Sequence, residues 1–290
     1  MQFKQESAQI YVPDGLPVEP ALARTTHMAI AAHQDDIEIM AIDGILKCFQ
    51  QPDRWFTGVV VTDGAGSPRD DLYKDYTDEQ MRAIRVIEQK KAAFVGDYAA
   101  QVLLDYPSAI VKNPADLDPV DDLAELLRLA RPEVVYTHNL ADKHLTHVAV
   151  AMRTISALRS LPTEERPQKV YGCEVWRGLD WMLDEDKVVF DTTAHENLQM
   201  ALLGVFDSQI CGGKRYDLST MGRRRASATY FASHSVDAMQ GMSTGMDLTP
   251  LIHDPSLDPW GYVQTFLQRF AVDVQQMLVR CMLNPNYPNP

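Results

Sequence analysis

The feature that most constrains the fold of this chain is an alternation of short β-branched runs with longer helical patterns through its first half. That order predicts a parallel sheet covered by helices on both faces. Strands are predicted at residues 27–33, 56–62, 102–106, 134–138 and 170–175, and helices between them at 37–50, 78–95, 119–130 and 144–158. After about residue 191 the pattern predicts helices alone, at 194–208, 218–231 and 260–282. The predicted fold class is α/β: a Rossmann-like, doubly wound, mostly parallel sheet with a helical C-terminal extension.

Polar residues that directly follow the predicted strands are the best candidates for a functional site. Open α/β sheets bind ligands beyond the carboxyl ends of their strands. Three polar clusters lie at such positions, namely HQDD at 33–36, TDGAG at 62–66 and the segment from His138 to His147. The sequence therefore predicts one ligand site at this edge of the sheet.

The first and third clusters together predict a divalent metal site. His33, Asp35 and Asp36 stand where a buried strand gives way to a helix, and His144 and His147 are three residues apart at the start of another helix. Imidazole and carboxylate are good Zn²⁺ ligands, and a catalytic site needs three of them plus an open position for water. Helix capping and surface histidines remain the alternative for either cluster alone.

The motifs AHQDDIE, TDGAGSPR and THNLADKHLTHVAV resemble those of the LmbE-like or PIG-L family of zinc-dependent N-deacetylases, which read AHPDDE and HPDH. The resemblance spans residues 26–235. It implies one Zn²⁺ per chain, held by His33, Asp36 and His147. It also implies that Asp35 is the general base and that His144, in protonated form, stabilises the transition state.

The same resemblance implies substrate contacts and shows two departures from the family pattern. Arg85 best fits the family arginine that grips substrate hydroxyls, with Arg82 the weaker candidate. Asp63 is expected to hydrogen-bond a sugar hydroxyl or to support a zinc histidine, unless Asp63-Gly64 is a plain tight turn. Gln34 replaces the usual proline, and Thr146 replaces an aspartate that would tune the neighbouring histidines.

Charge limits the partners of the chain. Its formal net charge of −13 excludes broad contact with nucleic acid phosphates or anionic membranes. The basic segment GKRYDLSTMGRRR is the exception, in which Arg223, Arg224 and Arg225 either hold a phosphorylated ligand or form a solvated helix face. With no secretory signal pattern and no CxxC pair, we expect a cytoplasmic protein with reduced cysteines.

These features predict a hydrolase that removes an N-acetyl or other N-acyl group from an amino sugar or its conjugate through metal-activated water. The alternative is a non-catalytic sugar- or nucleotide-binding protein of the same fold, although HQDD in place of GxGxxG disfavours dinucleotides. The aromatic residues Tyr171, Trp176 and Trp181 either stack on a sugar or pack the sheet edge. We expect an N-terminal extension (1–25), a deacetylase domain (26–235) and a C-terminal extension (236–290) that packs on it and suits a homo-oligomer contact.

Overall fold

The computed structural model describes residues 2–282, which build one eight-stranded sheet. The strands are β1 (Gln9–Tyr11), β2 (His27–Ala31), β3 (Phe56–Thr62), β4 (Ala100–Tyr106), β5 (Val134–His138), β6 (Lys169–Cys173), β7 (Lys187–Asp191) and β8 (Met242–Asp247). Their spatial order is β1-β4-β3-β2-β5-β6-β8-β7. The five strands from β4 to β6 pair in parallel, whereas β1 with β4, β6 with β8 and β8 with β7 pair antiparallel. The predicted mostly parallel sheet is confirmed.

The direction of strand progression reverses between β2 and β5. From β2 the chain moves outward through β3 and β4, returns across the sheet to β5, and then continues to β6. The carboxyl ends of β2 and β5 therefore border a crevice, which is where doubly wound sheets bind ligands.

Twelve helices accompany the described strands. They are α1 (Val18–Ala23), α2 (Asp36–Met40), α3 (Ile42–Cys48), α4 (Asp78–Val95), α5 (Ser108–Lys112), α6 (Asp118–Ala130), α7 (Leu145–Ser160), α8 (Glu196–Gly204), α9 (Asp207–Ile210), α10 (Tyr216–Thr229), α11 (Thr249–His253) and α12 (Pro259–Cys281). The sequence predicted one helix over 37–50, but it is broken at Ala41, where φ is −108°. The break lets α3 turn onto the sheet, where the Asp43 carboxylate accepts a hydrogen bond of 2.7 Å from the Tyr136 hydroxyl.

Side chains that alternate along the strands fill two cores, one on each face of the sheet. In β3, Val59 and Val61 face the core on the side of α6 and α7, whereas Val60 faces the core on the side of α2 and α3. All three valines are fully buried. Burial on both faces explains why the central strands are nearly continuous apolar runs.

Three strands at the sides of the sheet were not predicted from the sequence. β8, with the sequence MSTGMD, lacks β-branched and aromatic residues apart from Thr244, so its composition does not indicate a strand. It is inserted between β6 and β7 and so adds residues beyond position 235 to the same sheet. The division at residue 235 stays a prediction, and residues 283–290 of the predicted extension lie outside the described part.

Within residues 2–282, no helix combines the length and the apolar character that crossing a membrane would require.

Gly44 offers a test of how closely α3 packs on the sheet. A Cβ at this position would lie 2.6 Å from Cε2 of the buried Tyr136 ring. We expect Gly44→Ala to lower the free energy of unfolding by about 1–3 kcal/mol, the usual cost of overpacking a core. Urea unfolding measures this change. In α10, Gly222 has open space around it, so the control Gly222→Ala should instead gain up to about 1 kcal/mol from helix propensity.

Candidate metal centre

The loop after β2 turns sharply and brings its polar side chains to the crevice. Asp35 adopts φ of +78°, a region that non-glycine residues rarely enter. The Asp36 carboxylate accepts a hydrogen bond of 2.8 Å from the backbone N–H of His33, which closes the turn and starts α2. As a result, the side chains of His33 and Asp36 approach each other, with Nδ1 and Oδ2 3.3 Å apart, whereas the Asp35 side chain faces Arg85.

Three potential ligand atoms form a nearly equilateral triangle at the end of β2. The distances are 3.3 Å from Asp36 Oδ2 to His33 Nδ1, 3.3 Å from Asp36 Oδ2 to His147 Nε2, and 3.2 Å from His33 Nδ1 to His147 Nε2. A tetrahedral Zn²⁺ with bonds of about 2.0–2.1 Å requires ligand atoms about 3.3 Å apart. The triangle thus matches one face of a zinc tetrahedron in size and in donor chemistry.

The charges within this triangle are tightly coupled. Burial opposes ionisation of Asp36, but the neighbouring His147 and His33 outweigh it and hold the pKa of Asp36 well below its usual range. Burial also disfavours protonation of His147, yet the carboxylates of Asp36 and Asp142 raise its pKa to about 9. Without a metal, protonated His147 therefore provides the positive charge beside Asp36.

Asp142 is a candidate site residue that the sequence alone did not single out. Its Oδ2 atom lies 3.3 Å from His147 Nδ1 and accepts a hydrogen bond of 3.2 Å from the backbone N–H of Trp176. A carboxylate behind a histidine fixes the ring and raises its basicity as a ligand. Asp142 thus provides the acidic support that seemed lost with Thr146. The signal for this residue in the sequence was the aspartate within the motif ADKHLTH, two residues before His144.

We expect Asp142→Asn to weaken zinc binding by about 10–100-fold, the usual effect of removing such a supporting carboxylate. Zinc affinity is measured by competition with a chromogenic chelator. The matched control is Asp116→Asn, at a partly exposed loop acid outside the cavity, which should leave affinity unchanged. Equal affinity in Asp142→Asn and wild type would contradict the role given to Asp142.

His138, the first residue of the third polar cluster, packs against the triangle. Its ring is fully buried and stacks on His147 with centroids 3.9 Å apart. Its Nε2 atom lies 3.5 Å from Asp36 Oδ2, close enough for a second potential ligand set with Asp36 and His147. However, Nε2 already accepts a hydrogen bond of 2.8 Å from the backbone N–H of Ala32. Because that lone pair is used, His138 fits a packing role better than a ligand role.

His144 lies on the open side of the triangle. Its ring centroid is 5.1 Å from that of His33 and 4.5 Å from that of His147, and the three histidines also form a potential ligand set. Burial, together with the positive charge of His147 and His33, lowers the pKa of His144 to about 4. A cation in the triangle thus favours the neutral imidazole of His144, whereas the sequence analysis expected the protonated form.

Asp35 lies beside the triangle but is not part of it, and its carboxylate contacts Arg85. Its Oδ2 atom lies 3.3 Å from Arg85 Nη2, and its backbone N–H donates to Gln89. Burial raises the pKa of Asp35 well above its usual range, opposed by Arg85 and reinforced by Asp36. A carboxylate of raised basicity is what proton abstraction near neutral pH requires.

Both arginines that were predicted to contact substrate form hydrogen bonds within the protein. Arg85 is 3% exposed and donates to the Gln34 carbonyl and the Ser67 hydroxyl as well as facing Asp35. Arg82 forms an ion pair with Asp105, in which Nε and Oδ1 are 2.8 Å apart. Arg85 alone of the two lines the cavity described next.

A cavity of about 520 Å³ opens in front of the triangle. His33, Asp35, Asp36 and His144 line its floor, and Asp63 and Gly64 line one wall. Asp63 is half-buried, and burial raises its pKa while the backbone N–H of Ala65 donates to it. The structure therefore places the TDGAG loop at the site, as the sequence predicted.

The aromatic and basic residues that the sequence singled out lie partly at the cavity and partly in the core or on the surface. Of the aromatic cluster, Trp176 lines the cavity, whereas Tyr171 and Trp181 pack against the cores. The three consecutive arginines point in different directions. Arg223 lines the cavity, and Arg225 forms an ion pair with Glu196 on the surface. Arg224 also borders the cavity but is buried, with hydrogen bonds to Gln199 and to backbone carbonyls of α2.

Comparison with known proteins agrees with the motifs. The family model described as PIG-L, GlcNAc-PI de-N-acetylase, matches residues 28–158. These residues contain both motifs that form the triangle, so the predicted resemblance to the PIG-L (LmbE-like) family is confirmed over this segment. No curated protein sequence matches the chain significantly.

Solved structures with the same fold include proteins with different activities. The conserved protein TT1542 from Thermus thermophilus is 16% identical with a TM-score of 0.59, covering 81% of this chain and 99% of its own. GalB, the 4-carboxy-2-hydroxymuconate hydratase from Pseudomonas putida, is 17% identical with a TM-score of 0.60, covering 77% and 96%. N,N'-diacetylchitobiose deacetylase from Pyrococcus horikoshii is 17% identical with a TM-score of 0.59, covering 80% and 88%. Since a deacetylase and a hydratase share the fold, the reaction must be argued from the site.

Proposed function

We propose that this protein is a zinc-dependent hydrolase that removes an N-acetyl, or other N-acyl, group from an amino sugar or amino-sugar conjugate. The observation that carries the proposal is the triangle of Asp36, His33 and His147, with distances of 3.2–3.3 Å between ligand atoms, at the floor of a cavity that also exposes Asp35. The family match supports the reaction class.

His33, Asp36 and His147 would hold one Zn²⁺ per chain. When bound, the ion would lower the pKa of water toward about 7 and polarise the amide carbonyl. His33 is the partly exposed member of the set, with a side-chain exposure of 21%, so the cavity reaches the centre on its side. The buried carboxylate and imidazole provide the closed half of the coordination shell.

Asp35 acts as the general base in this proposal. It takes a proton from the attacking water and later returns it to the leaving amine, which converts the amide into a carboxylate and a free amine. Arg85 holds its carboxylate at 3.3 Å and thereby keeps it aimed at the cavity. The unusual backbone at Asp35 separates the base from Asp36, which faces the triangle.

His144 stabilises the negative charge that develops on the carbonyl oxygen. A neutral imidazole still carries one N–H donor, and a donor placed at such an oxygen is typically worth a few kcal/mol. The Nδ1 atom of His144 is buried and has no hydrogen-bond partner within the described residues.

The cavity suits a substrate of sugar size. Ligand pockets usually measure roughly 300–1,000 Å³, and the volume here is about 520 Å³. Asp63 would accept a hydrogen bond from a sugar hydroxyl at the wall. A direct substrate contact by Arg85 stays a prediction, because its guanidinium group also positions Asp35.

The test is to measure metal content and acetate release together. Purified protein should contain about one zinc per chain and release acetate from N-acetylglucosamine or its conjugates. A protein that retains no divalent metal, and releases no acetate after zinc is added, would overturn the hydrolase and favour a non-catalytic sugar- or nucleotide-binding protein. Zinc binding without acetate release from any N-acetylated sugar would overturn the deacetylase reaction but retain the metal centre.

A further inference from the structure

The last helix, α12, is covered by the rest of the described chain only over its first half. Val263 is 6% exposed, and the Tyr262 hydroxyl donates to a backbone carbonyl of β8. Two turns further along, Arg269 forms an ion pair of 2.7 Å with Glu185. Beyond it, none of residues 271–282 is buried. At a rise of 1.5 Å per residue, roughly 16 Å of helix is therefore uncovered.

Apolar side chains recur along α12 at alternating intervals of three and four residues. This row, which we call the α12 seam, consists of Trp260, Val263, Leu267, Phe270, Val274, Met277 and Cys281. Such intervals are typical of helices that pair in a coiled coil, where the seam of one helix packs into that of another. Val263 packs in the core, but Leu267, Val274 and Met277 are 39%, 41% and 60% exposed. The uncovered half of the helix thus carries an apolar face that the described chain does not cover.

Two charged residues flank the uncovered half of the α12 seam. Asp273 directly precedes Val274, and Arg280 directly precedes Cys281. Both are exposed, and neither forms an ion pair within residues 2–282. They are roughly 10 Å apart along the helix, which is too far for them to pair with each other. An acid and a base at equivalent positions of the repeat can, however, pair between two copies of the helix.

The orientation of the two copies decides whether these charges meet. In an antiparallel pair with Val274 opposite Met277, each Asp273 lies beside Arg280 of the other copy, on both sides of one two-fold axis. In a parallel pair, Asp273 would instead lie beside the uncharged Leu278. The charges therefore complement a second copy of the same helix in the antiparallel orientation.

The body of the protein favours the same orientation. It covers the start of the seam, so a second helix can pair only with the second half. Setting Val274 opposite Met277 also sets Phe270 opposite Cys281, and residues 270–281 of the two copies then overlap. This overlap coincides with the uncovered half of α12. It leaves the two bodies at opposite ends of the helix pair, whereas parallel copies would bring both bodies to the same end.

We propose that α12 forms a homodimer contact, in which residues 270–281 of two copies pair antiparallel around a two-fold axis between Gln275 and Gln276. The seam residues pack against one another, and Asp273 of each copy pairs with Arg280 of the other. The contact is short, since specific interfaces usually bury roughly 1,200 Å² or more. We therefore expect a reversible dimer with a Kd of about 1–100 µM. No residue of α12 lines the cavity, so this contact does not depend on the reaction proposed above.

Sedimentation equilibrium at about 1–200 µM protein, a range that brackets the expected Kd, tests for the dimer. We expect the average mass to rise from that of one chain toward that of two. Val274→Lys/Met277→Lys places charges inside the contact from exposed positions and should raise Kd by about tenfold or more, because a buried unpaired charge is costly.

The matched control is Gln268→Lys/Gln275→Lys, which adds the same charges to α12 at exposed positions outside the seam. It should leave Kd within about threefold of wild type, as expected for exposed charges. A wild type that stays monomeric over the whole range would overturn the contact. So would a seam variant that dimerises as well as wild type, because the dimer would then use another surface.

Disulfide cross-linking tests the orientation, in a Cys211→Ser background that leaves Cys281 as the only native cysteine not buried. In the antiparallel pair Cys281 faces Phe270 of the other copy, so oxidation by copper phenanthroline should not link the background chains. Adding Phe270→Cys should give a disulfide-linked dimer on a non-reducing gel, because each new thiol then faces a native one.

Adding Cys281→Ser to that variant should abolish the link, since the two copies of residue 270 lie roughly 16 Å apart along the axis, beyond the reach of a disulfide. A linked background protein, or a link that survives Cys281→Ser, would indicate parallel helices and overturn the proposed contact. The absence of a link in the Phe270→Cys variant would overturn it as well.

Discussion

Replacing Asp35 with asparagine is expected to lower kcat by about 10²–10⁴-fold, the range that removal of a general base produces. The amide keeps the shape of the side chain but has no basic oxygen with which to take the proton of the attacking water. Asparagine also tolerates the positive φ of +78° at this position better than most residues do. We expect zinc content to stay at about one per chain, because Asp35 lies outside the triangle of ligand atoms. Steady-state kinetics and atomic absorption measure the two quantities.

Asp105 provides a close match for the control. Like Asp35 it lies near the carboxyl end of a strand, has positive φ, here +63°, and pairs with an arginine of α4, but it does not line the cavity. Asp105→Asn should therefore leave kcat within about twofold of wild type, as expected for a group that does not act in the chemical step. If Asp35→Asn retained full kcat, the assignment of Asp35 as the base would be wrong; if it lost its zinc, Asp35 would instead be a ligand.

The central part of the fold was predictable because its signals are local. β-branched runs buried on both faces predicted the parallel strands, and all five overlap strands of the structure. β1, β7 and β8 were missed because their pairing depends on long-range contacts. For example, β8 pairs with β6 across a sequence separation of about seventy residues, through Gly172 opposite Met246. Such contacts leave no periodic pattern within the strand itself.

The site could be predicted as far as strand ends and motif spacing allow. The position of the first motif after β2 and of the third after β5 explains why His33, Asp36 and His147 meet at the point where strand progression reverses. Spacing could not show that Asp142 supports His147, since the contact depends on the turn that precedes α7. Spacing also could not show that His138 stacks on His147, because a buried histidine inside a strand resembles any other core residue. Its position as the last residue of β5, at the same sheet edge, was the available signal.

Replacing His147 is expected to abolish zinc binding and, with it, activity. His147→Gln would leave only Asp36 and His33 of the triangle, and catalytic zinc sites require three protein ligands. We expect zinc content to fall from about one per chain to near zero, and acetate release to fall to background. Because His147 is fully buried between Asp36 and Asp142, circular dichroism must show that the variant is folded.

The pH dependence of zinc binding provides a second readout of the same assignment. In the metal-free protein the pKa of His147 is raised to about 9, so at neutral pH this side chain must lose a proton before it can bind zinc. The apparent zinc affinity of wild type should therefore rise by up to about one log unit per pH unit until the pH approaches that value, with proton release on binding. A flat affinity between pH 7 and about 9 would contradict a protonated His147 in the free site.

His144→Gln distinguishes the two ways in which the histidines could share the metal. If His33, Asp36 and His147 hold zinc, this variant should retain about one zinc per chain and lose kcat by about 10²–10³-fold, because only the donor to the carbonyl oxygen is removed. If His33, His144 and His147 hold it instead, zinc content should fall as in His147→Gln. The geometry favours the first set, since Asp36 Oδ2 completes a triangle with sides of 3.2–3.3 Å and the pKa of Asp36 keeps it ionised. An ionised, buried carboxylate next to two imidazoles is stabilised most by a cation among them.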